Sequence, residues 1–357
     1  MTSTARSSTI DPPAEILVTG GAGYVGSALV PHLLARGYGV RALDLFWYGH
    51  DVFPGCHEHP RLRLLEGDVR DPAALAEALE PMPRGAHETG RVDAVIHLAC
   101  ISNDPSFELD PALGRSINLD AFPGLVDASL AAGVQRFVYA SSSSIYGVQD
   151  APHVVEETSP EPLTDYSRFK LACERLLLEA CAGASMTPVI VRPATVCGAA
   201  PRQRLDLTIN ILTAHALERG LIRVFGGSQL RPNLHIGDMV RAYDLLLTAD
   251  DEAVRGEAFN VGFENHAVAV LADLVRDTLA AETGASIAIR TESSDDLRSY
   301  HIDSSKIRQR LGFAPRHTLA DAVRDLAVVH AAGHLVDPLT NPRYHNIRRM
   351  QEILAAG

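Results

Sequence analysis

Ile16-Leu17-Val18-Thr19-Gly20-Gly21-Ala22-Gly23-Tyr24-Val25-Gly26 is the stretch that decides how this chain folds. A short apolar, β-branched run ends in a glycine-rich turn, and an apolar-periodic segment opens at Tyr24, so the order is strand, tight loop, helix. The glycines allow a sharp turn, a close approach of backbone to a pyrophosphate, and tight packing of helix on strand. The helix start presents free N–H groups and the positive end of a dipole to phosphates. Gly20, Gly23, Tyr24, Val25 and Gly26 are therefore candidate cofactor-binding residues.

Outward from this loop, short apolar runs alternate with longer amphipathic segments. Strands are expected at 40–44, 62–65, 94–99, 137–141 and 189–192, and helices at 24–35, 72–79, 111–132 and 165–182. Such a rhythm predicts an α/β fold: a doubly wound parallel sheet with helices on both faces. Beyond it the pattern loosens, with a strand-like 221–225 and helices near 207–219, 238–248 and 271–281, as a smaller C-terminal α/β substrate lobe requires. The division expected is a flexible tail at 1–13, a dinucleotide-binding domain from 14–198 and 234–262, and a substrate-binding lobe from 199–233 and 263–333. The remaining 334–357 is expected as an extension that packs on the surface through a helix at 347–355.

Composition narrows the classes of function. At 357 residues with 46% hydrophobic and 21% charged, the chain has ample material for a full core and none of the bias of a disordered one. Its net charge of −12 speaks against nucleic acid or an anionic membrane as partner, so an anionic ligand must be held by local cations. Cys56, Cys100, Cys173, Cys181 and Cys197 lack CxxC or CxxH spacing, so no metal site and no disulfide framework are suggested, and buried thiols in a reducing cytoplasm are expected. The amino-terminal residues have no apolar signal region, and no stretch is long enough to span a membrane.

Two further groups of residues carry chemistry. Asp44 closes the second expected strand, eighteen positions after Gly26, where a carboxylate accepts hydrogen bonds from the adenosine ribose and repels a 2′-phosphate, so NAD is favoured over NADP. Arg41, three positions earlier, points to the opposite face. Asp68 and Val69 follow the third strand and suit the adenine edge, and His97-Leu98-Ala99 follows the fourth along the ribose and phosphate path. Tyr166-Ser-Arg-Phe-Lys170 puts a phenol and an ammonium on one helix face, and a neighbouring cation lowers a tyrosine pKa towards that of a useful base. Upstream, Ser141-Ser142-Ser143-Ser144-Ile145-Tyr146-Gly147 places hydroxyls at the carboxyl end of the fifth strand, where parallel sheets bind ligands.

With these motifs in order, and with RPATVCG at 192–198, RPNLHIGD at 231–238, FNVG at 259–262 and DSSKIRQRLGF at 303–313, residues 15 to about 330 resemble the extended short-chain dehydrogenase/reductase family, in its NAD-dependent nucleotide-sugar epimerase/dehydratase branch. The resemblance implies a Rossmann domain holding NAD, a small lobe over a UDP- or dTDP-hexose, and a triad of Ser142, Tyr166 and Lys170. It also places Leu45, Ser141, Asn118 and Pro193 at the cofactor, Thr195 at the sugar, and Arg231 and Arg298 on the nucleotide diphosphate. Thr195 replaces a common Asn and Cys197 a common Tyr, so the sugar side of the pocket is altered. Homodimers are implied, paired through 111–132 and 165–182.

The shared first step has tyrosinate take a hydroxyl proton while hydride passes to NAD. Dehydratases and decarboxylases of the branch carry carboxylates just after the catalytic Ser or Thr, whereas this chain has Ser143 and Ser144. Epimerisation at C4 needs no such acid and is the expected reaction, with a dehydratase or a 4-keto reductase/dehydrogenase as alternatives. A non-catalytic dinucleotide sensor or scaffold is the contrasting class, and such proteins commonly lose the YxxxK pair. Asp44→Ala should narrow the preference for NAD over NADP, read by calorimetry with both cofactors; equally tight binding of the two to the unmutated chain would remove the role given to Asp44.

Overall fold

Side chains along a strand alternate between faces, and here both faces of the central sheet are apolar. The computed structural model describes residues 9–12, 14–84, 88–149, 151, 153–293 and 299–356. Strand β1 (Glu15–Thr19) sends Ile16 and Val18 into one core and Leu17 into the other. In β2 (Gly39–Asp44), Val40 and Ala42 oppose Leu43 in the same way. After β3 (Leu62–Glu66) and an antiparallel hairpin of β4 (Met82–Arg84) and β5 (Glu88–Gly90), the division recurs. In β6 (Ala94–His97) Ala94 and Ile96 oppose Val95, and in β7 (Arg136–Ala140) Val138 opposes Phe137 and Tyr139.

The remaining strands are β8 (Thr187–Pro193), β9 (Thr195–Cys197), β10 (Leu221–Phe225), β11 (Leu230–His235), β12 (Glu257–Val261), β13 (Glu264–Ala267) and β14 (Ala288–Glu292). The central sheet has seven strands in the order β12-β8-β7-β6-β1-β2-β3, parallel at every pairing. This is a doubly wound, Rossmann-like α/β sheet. The strand order reverses between β1 and β6, which makes the crevice beyond their carboxyl ends the expected ligand position.

One face is covered by α1 (Tyr24–Arg36), and the other by α2 (Pro72–Leu79). The short α3 (Asp104–Phe107) and α4 (Pro111–Arg115) follow, and then α5 (Phe122–Ala131) and α6 (Asp165–Ala180) join α2 on its face. A third core unites α7 (Thr208–Arg219) with later elements. After α8 (Ile236–Thr248), which lies beside α1, and α9 (Asp251–Val254), the helices α10 (Val268–Thr283), α11 (Ser305–Leu311), α12 (Leu319–Ala331) and α13 (Asn346–Ala356) complete the chain. Ile209, Leu212, Ile222, Leu271, Val275, Leu319 and Val323 are buried together, where α7, α10 and α12 meet the parallel pair β10–β14.

Four expectations need correction. The helix expected over 111–132 is broken: α4 ends at Arg115, a π-helical turn runs Ser116–Asp120, and α5 starts afresh with Pro123 in its first turn. Pro123 has no N–H to continue the helical ladder, and the wide turn buries Asn118. Part of the expected tail is anchored, since Ile10 is buried, donates its N–H to Leu247, and accepts from the Tyr38 hydroxyl; residues 1–8 and 13 lie outside the described residues. Cys173, Cys181 and Cys197 are buried free thiols, but Cys56 and Cys100 are only half-buried. The segment 334–357 is no surface appendage, because Met350 is 2% exposed and packs with Ile101, Phe107 and Ile117. The reading also missed β12 and the short β9, β13 and β14, and it missed α12 although Thr318 and Asp321 form a capping box ahead of Leu319, Ala322, Val323 and Leu326 at helical spacing.

Buried charge fixes the end of the sheet that bears the serines. Arg192 on β8 and Glu174 on α6 form a two-pronged ion pair with nitrogen–oxygen distances of 2.7 and 3.0 Å. Both residues are buried, the Ser141 hydroxyl donates to Glu174, and Arg192 donates to the Tyr146 hydroxyl at 2.8 Å. Removing one partner would strand the other in low dielectric. Glu174→Ala should destabilise the fold by about 3–5 kcal/mol, as expected for breaking a buried pair, with a lowered midpoint in denaturant unfolding as the measurement.

Candidate active site

Gly20 has a φ of +73°, and a Cβ there would meet the Ala99 nitrogen at 2.5 Å. The loops after β1 and β6 therefore touch at the reversal of the sheet. A Cβ at Gly26 would fall 2.4 Å from the Gly21 carbonyl oxygen, so α1 can sit this close to its loop only with glycine. The cap residue Gly23 offers no side chain to the helix start, and the first turn carries no acidic residue. Backbone N–H groups there are left for an external anion, a cradle suited to the pyrophosphate of NAD.

A continuous cleft of about 370 Å³ runs from this cradle to the serines and the YxxxK helix. Gly20, Gly23, Tyr24, Val25, Gly26, Asp44, Leu45, Asp68, Val69, Leu98 and Ala99 line one end; Ser141, Ser142, Tyr166, Lys170, Pro193 and Thr195 line the other. The Asp44 carboxylate accepts from the Ala22 N–H at 2.9 Å and the Phe46 N–H at 2.8 Å, which orients it beside the glycine loop. Burial pushes its pKa up, against these hydrogen bonds. Arg41 is spent elsewhere: it is fully buried, pairs with Glu15, and donates to the carbonyls of Ala78, Glu80 and Gly90.

The four serines are not equivalent. Ser141 and Ser143 are buried, whereas Ser142 and Ser144 are half-open to the cleft with their hydroxyl oxygens 2.8 Å apart. Tyr166 lines the cleft beside Ser142, close enough for the serine hydroxyl to act on its pKa. The ammonium of Lys170 donates to the Ala140 carbonyl at 2.7 Å and lies 5.8 Å from the centroid of the Tyr166 ring. The pKa lowering expected from Lys170 does not dominate here. Burial raises the phenol well above its ordinary value, Cys100 and Asp104 add to that, and Arg204 and the nearby Ser142 hydroxyl oppose it.

Several expected residues stand off the cleft wall. His97 turns into the sheet, where its Nδ1 lies 2.6 Å from the Thr19 hydroxyl and its ring stacks on Tyr139, and burial pushes its pKa down to about 3. Asn118 acts one step back: its carboxamide accepts from the Ile101 N–H and donates to the Ile101 carbonyl, pinning the loop after β6. The Arg231 guanidinium lies 5.3 Å from the centroid of the Tyr300 ring and donates to the Leu230 carbonyl, while Tyr300 itself reaches the cleft. Arg298 lies outside the described residues. In place of these arginines the wall carries Arg202 and Arg204, with Ser102, Asn103, Asp104, Asn346 and Met350. Sequence reading missed them, and the Pro201-Arg-Gln-Arg run was its one available signal.

The model of the NAD dependent epimerase/dehydratase family matches residues 16–262, which includes the glycine loop, the serines and the YxxxK helix. The chain belongs to this family. Members similar to it carry out different reactions. A UDP-glucose 4-epimerase of Corynebacterium glutamicum is 28% identical over 85% of this chain and 92% of its own length. The crystal structure of a dTDP-glucose 4,6-dehydratase from Streptomyces venezuelae, with NAD bound, is 26% identical, has a TM-score of 0.78, and covers 91% of this chain and 100% of its own. MoeE5 in complex with UDP-glucuronic acid and NAD is 29% identical, with a TM-score of 0.73, covering 89% of this chain and 100% of its own. This chain is thus an NAD-dependent enzyme of the epimerase/dehydratase family.

Proposed function

We propose that the enzyme epimerises a nucleotide-activated hexose, of UDP or dTDP, at C4. The observation that carries this reading is that Tyr166 and Ser142 line one cleft together with Ser143 and Ser144, which put hydroxyls where an eliminating enzyme needs an acid. Bound NAD supplies a reversible hydride acceptor and a positive ring that favours phenolate. Ser142 holds the C4 hydroxyl, and Tyr166 removes its proton and later restores it. Lys170, fixed on the Ala140 carbonyl, keeps an ammonium beside Tyr166 in the cleft. The cleft continues past Thr195, which presents a hydroxyl and a methyl group on the sugar side.

A second reading, elimination of water, is favoured by Asp104. Its carboxylate lines the cleft, accepts from the Thr164 hydroxyl at 2.6 Å, and lies near enough to Tyr166 to raise that pKa. The similarity to a dTDP-glucose 4,6-dehydratase supports the same alternative.

We also propose a cytoplasmic homodimer. The five unpaired thiols fit a reducing compartment, and among the described residues no helix is long and apolar enough to cross a membrane. Leu178 on α6 is 37% exposed and Gly124 on α5 faces open space, which supports pairing of these helices across a two-fold axis, whereas Leu171 packs into its own core. Light scattering should give twice the 38.4 kDa chain mass at micromolar concentration, and a monomer would remove the pairing.

The catalytic test incubates enzyme with UDP- and dTDP-hexoses without added cofactor, following C4 stereochemistry by NMR and mass by spectrometry. A product of unchanged mass with inverted C4, and no net rise at the reduced-nicotinamide band, is expected. A product lighter by one water selects elimination, and stoichiometric reduced cofactor selects dehydrogenation. Tyr166→Phe should cut turnover by about 10²–10⁴-fold with bound NAD unchanged, while Lys170→Ala should harm both.

A further inference from the structure

The last helix, α13, lies beyond the final motif that carries the family resemblance, which ends at Phe313, and yet it forms part of the cleft wall. Asn346, its first residue, fixes it there. The Asn346 carboxamide oxygen accepts from the Tyr48 hydroxyl at 3.0 Å and from Arg202, its amide donates to the Ser102 hydroxyl at 2.9 Å, and its backbone N–H donates to Asp206 at 3.0 Å. One 5%-exposed side chain thus ties the loops after β2, β6 and β9 to the helix. Nearby on α13, Arg349 donates to the Trp47 carbonyl.

Met350 reaches the catalytic end. It is 2% exposed, lines the cleft, and is buried with Ile101, Phe107 and Ile117; the half-buried Tyr166 and Trp47 pack on the same cluster. The charged and titratable groups that face Tyr166 come from other elements. They are Lys170 on its own helix, Tyr139 on β7, Cys100 on the loop after β6, Asp104 on α3, and Arg204 on the loop after β9. Met350 adds no charge to this set. It adds apolar bulk on the side of the chamber where water would otherwise reach the phenol, and an unbranched thioether suits so irregular a gap.

We propose that Met350, carried by the last helix, is a positioning residue of the reaction that keeps bulk water off Tyr166, so that the chamber becomes competent only once α13 has docked. This role rests on the reading of Tyr166 as the base of a C4 epimerisation. Burial is the largest influence on the phenol. Loss of the cover lets water solvate the phenolate, which favours the charged form and lowers the pKa. The base then ionises at lower pH and draws less strongly on the C4 hydroxyl proton. Exclusion of water also strengthens the hold of the Lys170 ammonium on the phenolate, because the medium between them has a lower dielectric.

The test reads Tyr166 itself. In the NAD-loaded protein, ultraviolet difference titration of the unmutated chain against Tyr166→Phe isolates this one phenol, and the same comparison is made in Met350→Ala, Met350→Gln and Met350→Leu backgrounds. The Ala and Gln variants should move the phenolate titration, and with it the acidic limb of kcat/KM for a UDP- or dTDP-hexose, to lower pH by about one unit, a fraction of the shift that full burial produces. Met350→Gln keeps the side-chain length and so keeps the test open if the cavity left by alanine prevents folding. Met350→Leu conserves volume and apolarity and should restore the unmutated titration. Trp47 is the one tryptophan of the sequence, so acrylamide should quench the protein fluorescence more readily in the Ala and Gln variants than in the unmutated chain. A purely structural Met350 would lower the thermal midpoint and leave the titration and the acidic limb unmoved, and that result overturns the proposal. So does a titration that moves as far in Met350→Leu as in Met350→Gln. If no hexose turns over, the C4 reading fails, and the phenolate titration still decides the role of Met350.

Discussion

The site depends first on a distance that only glycine permits. The loop after β1 lies against the backbone of residues 98 and 99, with no space for a Cβ at Gly20. That approach joins the two loops that flank the reversal of the sheet, and it leaves the start of α1 uncapped and facing the cleft. Asp44 is then set by the same loop, through the Ala22 N–H. The strand order brings these two loops together, and the close contact between them shapes the cofactor end of the cleft.

Charge is handled differently at the two ends of the cleft. The cofactor end presents backbone N–H groups and the carboxylates of Asp44 and Asp68. Around the serines, buried ions are matched within the protein: Arg192 with Glu174, Arg204 with Asp206. This matching holds Ser141 and Tyr146 in place and leaves Ser142 to face Tyr166. His97, buried and kept neutral, adds no charge that would compete with Lys170.

What could be read from the sequence was what is local. The glycine loop, the strand-end Asp44 and the Tyr166–Lys170 spacing all act within one turn or one loop, and the structure brings each of them to the same cleft. Parity along β1, β2, β6 and β7 was legible as apolar runs because both faces are covered. Elements formed by distant pairing were not, as β12 shows: it gains its place beside β8 from register across the sheet and not from a turn signal. The substrate wall is the extreme case, since Arg202 and Asn346 meet across 144 positions. Arg231, expected on the nucleotide diphosphate, lies instead over the ring of Tyr300, a contact made across 69 positions that no local pattern announces.

The position of α13 in the chain has a consequence for biosynthesis. The central sheet has all seven strands once Val261 has emerged from the ribosome, so the cofactor half can form during synthesis. The opposite wall, however, waits for Asn346 and Met350, some eighty residues later. Until then Ile101 and Phe107 lack their apolar cover, and the loops after β2, β6 and β9 have no common tie. The nascent chain therefore passes through a stage in which a dinucleotide site is complete and the catalytic chamber is still open, and the last helix converts one into the other.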